Sequence, residues 1–210
     1  MITKTVTSVS IRRVVVAFAA AVASTPSWAG GTIDAAYVKS LAAPGKTVLV
    51  IEYYDAGGKV IDRKGFASST GFTVKSPGEI VVDPKVGMHL YGLEPCKGDM
   101  VNQKEGFAGS CVDYARQQLE ILVKSAKVIF CRAFLTERDA PLQDATCFGY
   151  HNYPGSLDTV DNFEEQLLSL GALRLEKKQD GSPMRPDLLD AEKTGRSGFG
   201  MWADPGVQKQ

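Results

Sequence analysis

The chain has 210 residues with 24 basic and 24 acidic side chains, so its formal net charge at neutral pH is zero. This length suits one domain with a substantial core. A balanced charge argues against a generally basic nucleic-acid-binding protein, because phosphate affinity comes mainly from clustered Lys and Arg. It leaves room for a local basic patch. No phosphate-cradling glycine motif is present, so no nucleotide cofactor is expected.

The first 29 residues have the layout of a secretory signal peptide. A basic start precedes the apolar run "VVVAFAAAVA" at residues 14–23, and small residues at Ser27 and Ala29 predict cleavage after Ala29. Ten apolar residues fall short of the roughly 20 that span a bilayer; an uncleaved membrane anchor is the alternative. The exported chain from Gly30 carries 21 basic and 24 acidic residues. We expect a periplasmic or secreted monomer with no stable membrane span.

The first half of the exported chain predicts a β-meander. After a lead-in with one helical turn near residues 35–41, β-branched and aromatic residues predict a strand at 47–54, and "DAGG" predicts the turn that follows. Further strands are predicted at 59–69, 70–75, 79–82 and 87–93, with turns at "SPG" (76–78) and "DPK" (83–85).

The second half changes to helical periodicity. Residues 107–126 predict a helix whose buried face holds Ala108, Cys111, Val112, Ala115, Leu119 and Leu122. A hairpin at 127–150, turning at Arg138 and Asp139, follows it. Residues 161–171 predict a helix capped by Asp161 and Glu164, with Phe163, Leu167 and Leu170 inward. A short strand at 172–178, a last helix with Pro186 in its first turn, and a frayed tail from residue 205 complete the chain.

Four cysteines in an exported chain indicate two disulfides. Cys131 and Cys147 lie almost equally far from the hairpin turn, which places them opposite each other and leaves Cys96 to pair with Cys111. A zinc site is the alternative. It lacks a C-x-x-C pair, and the two histidines are isolated in the sequence.

The order of motifs resembles the staphylococcal nuclease (thermonuclease) family over residues 65–204. "TGFTV" (70–74) is similar to D-G-D-T-V, "HLYGLEP" (89–95) to R-L-Y-G-I-D-A-P, and "TERDAPLQDATC" (136–147) to the D-R-Y-G-R-x-L-A hairpin tip. "DNFEEQLLSLGALRL" and "AEKTGRSGFGMW" are similar to the two terminal helical motifs. The resemblance implies an α+β, mainly β fold: a five-stranded OB-fold barrel with about three packed helices. An N-terminal β extension (30–64) would precede it and a flexible tail (205–210) would follow.

The resemblance also implies a Ca²⁺-dependent phosphodiesterase chemistry, with acidic ligands, a glutamate base and two arginines. The family's positions fall on Phe72 for a calcium ligand, on His89 or Met88 for the first arginine and on Glu94 for another acid. The base falls on Cys96, and the second arginine on Ala140 or Pro141. Only Glu94 keeps the required chemistry, so no catalytic residue and no resident metal are assigned.

Three functions follow from this mismatch. The first is a catalytically inactive, exported nuclease-like module that binds a nucleic acid, a glycan or a protein segment in a groove. Its candidate binding residues are His89, Tyr91, Glu94, Arg138, Tyr150 and Tyr153. The second is a calcium- or otherwise metal-dependent nuclease with a site rebuilt from Glu94, Asp99, Glu137 and Asp139. The third is a structural protein of the cell envelope. For the tyrosines and carboxylates alike, packing and solvated loop charge are the alternatives.

Overall fold

The computed structural model of the protein describes residues 33–153, 155 and 158–209. The predicted signal peptide and its cleavage after Ala29 lie outside these residues. Within them, no helix combines the length and the hydropathy needed to cross a membrane. The described chain has an α+β architecture, which confirms the predicted class.

Twelve strands and four α-helices make up the regular structure of the described residues. The strands are β1 (Thr47–Tyr54), β2 (Val60–Ser68), β3 (Thr73–Ser76), β4 (Glu79–Asp83), β5 (Val86–Leu90), β6 (Leu93–Glu94), β7 (Asp99–Asn102), β8 (Phe107–Ser110), β9 (Val128–Phe134), β10 (Leu142–His151), β11 (Thr159–Asn162) and β12 (Arg174–Leu175). The helices are α1 (Ala35–Ser40), α2 (Cys111–Ser125), α3 (Phe163–Ser169) and α4 (Leu189–Gly195). Short 3₁₀ turns lie at Leu135–Glu137, Pro186–Leu188, Gly200–Ala203 and Val207–Lys209.

Eight of these strands form one curled, half-barrel sheet in the order β2-β1-β9-β10-β5-β4-β3, with β11 paired to β10. The sheet is mixed, since β1 runs parallel to β9 and β5 parallel to β10 while its other pairs are antiparallel. The sheet has eight strands, of which β1 and the residues of β2 before 65 belong to the predicted N-terminal extension, and α2, α3 and α4 are the described α-helices within 65–204, where about three were predicted. The β1–β2 hairpin joins the sheet directly through β9, and residue 64, the predicted end of an N-terminal extension, lies inside β2.

Side chains alternate between two hydrophobic clusters on the two faces of the sheet, as the pleat of a strand requires. Leu49, Ile51 and Tyr53 of β1 point into the main core beneath α2, α3 and the C-terminal turns. On the opposite face, which we call the outer face, a smaller cluster is covered by α1. This cluster consists of Val38, Val50, Val128, Phe130, Phe148 and Tyr150.

The helix predicted at 107–126 begins later than expected. Residues 107–110 form β8, and the Ser110 side chain caps α2 by accepting a hydrogen bond from the Asp113 amide. Ala108 and Val112, both predicted to be buried, are exposed. The buried face consists of Cys111, Tyr114, Ala115, Leu119, Leu122 and Val123. The disulfide at Cys111 and the contacts of β8 fix this rotation of the helix.

The helix predicted at 161–171 is also shifted by one residue. Asn162 is its N-cap and accepts from the Glu165 amide, so Asp161 does not cap the helix. Leu168 is fully buried and Leu170 is 43% exposed, the reverse of the prediction for Leu170. As a consequence Glu164 points into the protein rather than back to the helix start.

Both predicted disulfides are confirmed. Cys131 and Cys147 are direct partners in the β9–β10 register, with Cα atoms 4.1 Å apart. Cys96 and Cys111 tie the loop after β6 to the start of α2, with Cα atoms 5.3 Å apart. At the C-terminus, Val207 is buried within a 3₁₀ turn, so the described part of the tail packs against the domain.

Candidate binding pocket

A small pocket opens on the outer face where β1, β9 and β10 meet the segment before the 186–188 turn. Its volume is about 90 Å³. We call it the Arg132–Arg185 pocket. Its lining consists of Tyr54, Tyr91, Arg132, Phe134, Glu137, Asp144, Ala145, Thr146 and Arg185.

The pocket lies at one end of a polar row that crosses four strands. The pairing registers align Arg63 with Glu52, Glu52 with Arg132, and Arg132 with Thr146. Paired residues of adjacent strands point to the same face, so these four side chains share the outer face. Glu52 is 7% exposed and lies between two arginines, 2.9 Å from the Arg63 guanidinium and 3.6 Å from Nε of Arg132. A buried carboxylate is thereby compensated by charge on both sides.

Arg132 is the less completely satisfied of the two pocket arginines. Its Nε is buried and has no hydrogen-bond partner among the described residues. The guanidinium lies over the ring of Tyr54, 5.1 Å from the ring centroid, which is a favourable cation–π distance. Nε lies 3.6 Å from Oε2 of Glu52, a distance that suits an ion pair but is too long for a hydrogen bond.

Arg185 is fixed more tightly, although it is only 2% exposed. Nε and Nη2 donate to the carboxylate of Asp187 at 2.8–3.2 Å, and Nη1 donates to Oγ1 of Thr146 at 3.2 Å. Burial would lower the pKa of Arg185, but the hydrogen bonds and charges of Asp187 and Glu164 outweigh it and the pKa is raised. Its side chain is therefore a permanently charged, oriented wall of the pocket.

A buried carboxyl group lies behind this arginine. Glu164, in the first turn of α3, is fully buried, and its two oxygens accept from the Cys147 amide at 3.1 and 3.3 Å. Burial raises the pKa of Glu164 to about 8, against the opposing effect of the Arg185 charge. At neutral pH most of the Glu164 side chains are protonated, so Asp187 supplies the charge that balances Arg185.

Aromatic rings form the apolar wall of the pocket. Tyr54 and Phe134 are register partners on β1 and β9, with ring centroids 4.6 Å apart. Burial raises the pKa of the Tyr54 hydroxyl, although the charges of Arg132 and Arg185 act in the opposite direction. Tyr91 contributes a third ring. A flat ring bearing an anionic group could therefore contact rings and guanidinium groups together.

Two carboxylates define the acidic rim. Oδ1 of Asp144 lies 2.8 Å from Nδ1 of His89, within hydrogen-bond distance. The backbone amide of Asp144 donates to Oε2 of Glu137 at 3.4 Å. His89 and Asp144 are partners in the parallel β5–β10 register. The rim would repel a second anionic group on this side, so an anion is favoured on the arginine side of the pocket.

Only part of the predicted binding set meets here. Tyr91 lines the pocket and His89 adjoins it through Asp144. The other four members lie outside the pocket. Glu94 forms an ion pair with Arg174, and Arg138 forms ion pairs with Asp62 and Asp139. Tyr150 packs in the outer cluster and donates to Asp158, and Tyr153 stacks on His151.

Three of the positions matched to the nuclease family hold residues that do not supply the matched chemistry. Phe72 is a core residue with 6% exposure, and Cys96 is oxidised in a disulfide. Ala140 donates its amide to the Glu137 carbonyl at the hairpin tip. Among the described residues, no three His, Cys, Asp or Glu side chains come together as a metal site, so Glu94, Asp99, Glu137 and Asp139 do not assemble one.

The sequence reasoning missed Tyr54, Arg132, Phe134, Thr146 and Arg185. A signal was present: Glu52 and Arg132 are single charges inside the apolar strands "TVLVIEYY" and "VIFCRAF", where an unpaired charge would be costly. Arg185 gave no such signal, because it ends a charged loop and its sequence context is that of a solvent-exposed arginine.

Comparison with known protein families and with curated proteins gives no match to this chain in either case.

Proposed function

We propose that the protein is an exported, catalytically inactive nuclease-like module that binds the phosphate of a nucleotide or of a short single-stranded nucleic acid in the Arg132–Arg185 pocket. In this proposal the half-barrel corresponds to an OB-type fold, which presents ligand grooves on its sheet. The segment 1–29 would direct it to the periplasm or the exterior.

The observation that carries the proposal is the placement of Thr146 between two arginines. Arg132 is its register partner and Arg185 donates to its hydroxyl. A phosphate oxygen near Thr146 would therefore accept from guanidinium groups on both sides, in charge-assisted bonds about twice as strong as neutral ones. The rings of Tyr54 and Phe134 then lie beside the group that carries the phosphate.

The same geometry argues for binding rather than hydrolysis. Removing one preorganised electrostatic contact typically costs about 10²–10³ in rate. Phe72, Cys96 and Ala140 together replace a ligand, a base and an arginine of the related chemistry, although such losses are not additive.

Charge balance limits the affinity. Asp187 already neutralises much of Arg185, and Glu52 does the same for Arg132. The acidic rim at Glu137 and Asp144 opposes a polyanion. We therefore expect weak binding that declines with added salt.

The test is titration calorimetry of the purified protein with a nucleoside 5′-monophosphate and with the same nucleoside lacking phosphate. We expect measurable binding of the phosphorylated ligand only, and its loss in Arg132→Gln. Lys85→Gln is the matched control. Lys85 is exposed in the β4–β5 turn, so this substitution removes the same charge at a position away from the pocket.

Equal affinity for both ligands, or full affinity in Arg132→Gln, would refute the phosphate site. A parallel incubation with single- and double-stranded DNA and RNA, with Ca²⁺ and with EDTA, tests catalysis. Digestion that survives repurification and stops with EDTA would replace the proposal with a metal-dependent phosphodiesterase.

A further inference from the structure

A second pocket adjoins the first on the outer face of the sheet. Its volume is about 310 Å³, and it lies between the start of α1 and strands β1, β2 and β9. Its lining consists of Ile33, Asp34, Tyr37, Glu52, Arg63, Phe130 and Arg132. Arg132 is shared with the first pocket, so one side chain borders both.

The two pockets follow each other along β9. Phe130 lines the second pocket, Arg132 lines both and Phe134 lines the first. These residues alternate with core-facing ones, so all three point to the outer face. At about 3.3 Å per residue, Phe130 and Phe134 are about 13 Å apart along the strand. That length accommodates ligand groups on both sides of a phosphate held at Arg132.

The second pocket contains a flat, cationic platform. The guanidinium of Arg63 lies 5.4 Å from the centroid of the Tyr37 ring and is held by Glu52 through Nε and Nη2 at 2.9 Å. Its side chain is still 53% exposed. The ring of Phe130 contacts Tyr37 edge-on at 5.9 Å. Nucleic-acid bases stack on guanidinium planes as well as on aromatic rings, so this platform suits a base.

We propose that the two pockets form one groove for a single-stranded oligonucleotide of at least two nucleotides, with Arg132 at the phosphate between them and Arg63 stacked on the second base. This inference rests on the proposed function. It adds that the ligand is a polymer, that α1 contributes to its recognition, and that Arg63 determines the preference for length.

The experiment compares the affinities of a mononucleotide and of oligonucleotides of two to four nucleotides for the wild-type protein, Arg63→Lys and Arg63→Ala. One stacked base contributes at least about a fivefold gain in affinity, so the dinucleotide should bind at least about fivefold more tightly than the mononucleotide. Both variants should lose that gain, and Arg63→Lys, which retains the charge beside Glu52 without the plane, should also keep the mononucleotide affinity. Lys85→Ala is the control for charge, and circular dichroism checks folding.

The outcomes separate the two proposals. Mononucleotide binding with no gain for the dinucleotide, or a gain that Arg63→Lys retains, overturns the groove and leaves the phosphate site standing. Absence of binding by every nucleotide overturns both. Tighter binding of an anionic oligosaccharide than of the matched oligonucleotide would overturn the assignment of ligand class.

Discussion

Glu164 and Arg185 interact electrostatically in the interior, and each is hydrogen-bonded to a different group: Glu164 accepts from the Cys147 amide, and the Arg185 guanidinium donates to Asp187. The charge of Arg185 lowers the pKa of Glu164, but burial dominates and raises it to about 8. At neutral pH the Glu164 carboxyl beside the pocket is therefore mostly protonated and neutral.

The contribution of Glu164 to the free energy of unfolding should fall as pH rises from about 4.5 to about 8, whereas that of His151, whose pKa is lowered by burial, changes in the opposite direction. The pKa of Glu164 increases from its ordinary 4.5 to about 8 on folding, so in this window the folded state binds more protons than the unfolded state. The contribution of Glu164 to the free energy of unfolding is complete below pH 4.5 and is lost as pH rises through 8. A shift of this size corresponds to a few kcal/mol, at about 1.4 kcal/mol per pH unit. Urea unfolding at pH 5, 7 and 9 measures it.

Glu164→Gln should remove most of this slope, because the amide is neutral and its oxygen still accepts from the Cys147 amide. We expect the variant to be more stable than the wild type at pH 9. Glu165→Gln, one residue away and exposed, is the control. An unchanged slope in Glu164→Gln would contradict the assignment.

Ligand binding should weaken over the same pH range above neutrality. A deprotonated Glu164 adds a negative charge behind Arg185 and so reduces the attraction of the pocket for a phosphate. Calorimetric affinities at pH 7 and 9 should differ in the wild type and much less in Glu164→Gln. An equal pH dependence in both proteins would show that the ligand or another group titrates instead.

Local patterns predicted most strands, both disulfides and the approximate helices, because these depend on alternation, periodicity and turn residues near one another in the chain. The hairpin symmetry correctly paired Cys131 with Cys147. The phase of α2 was wrong, since Ser110 as N-cap and the Cys96 disulfide decide where that helix starts.

The pocket was less predictable, because it depends on contacts distant in sequence. Arg185 meets Thr146 across 39 residues, and Arg132 meets Glu52 only through the parallel pairing of β9 with β1. The family-like motifs include Phe72, Glu94 and Ala140, which lie outside the pocket lining. The sheet register instead brings together charges that the motifs do not include.

Export should remove the first 29 residues. The basic start, the short apolar run and the small residues before Gly30 predict this cleavage. N-terminal sequencing or intact mass of the protein from a periplasmic or culture fraction should identify Gly30 as the first residue. Recovery of intact Met1 in a membrane fraction would instead support an uncleaved anchor.

Loss of the hairpin disulfide should destabilise the protein substantially. Cys147→Ser removes the link between β9 and β10, whose pairing also carries Arg132 and Thr146. Native disulfides typically contribute about 2–5 kcal/mol. Urea unfolding of Cys147→Ser and of the double variant Cys131→Ser, Cys147→Ser measures the loss. A change below about 1 kcal/mol in both would show that the sheet register alone holds the hairpin.

Gly195→Ala should destabilise the packing of α4 on α3. A Cβ atom at Gly195 would lie 2.1 Å from the backbone carbonyl oxygen of Leu168 and 3.3 Å from Cα of Gly171. Both contacts are with backbone, which cannot rotate away as a side chain can, so the two helices must separate. We expect a loss of about 3 kcal/mol or more in the free energy of unfolding. Gly65→Ala on β2 is the matched control, since an added Cβ there meets no described atom within 4 Å. Equal stability of the two variants would mean that α4 moves freely against α3, and that the segment carrying Arg185 is not held in place by this contact.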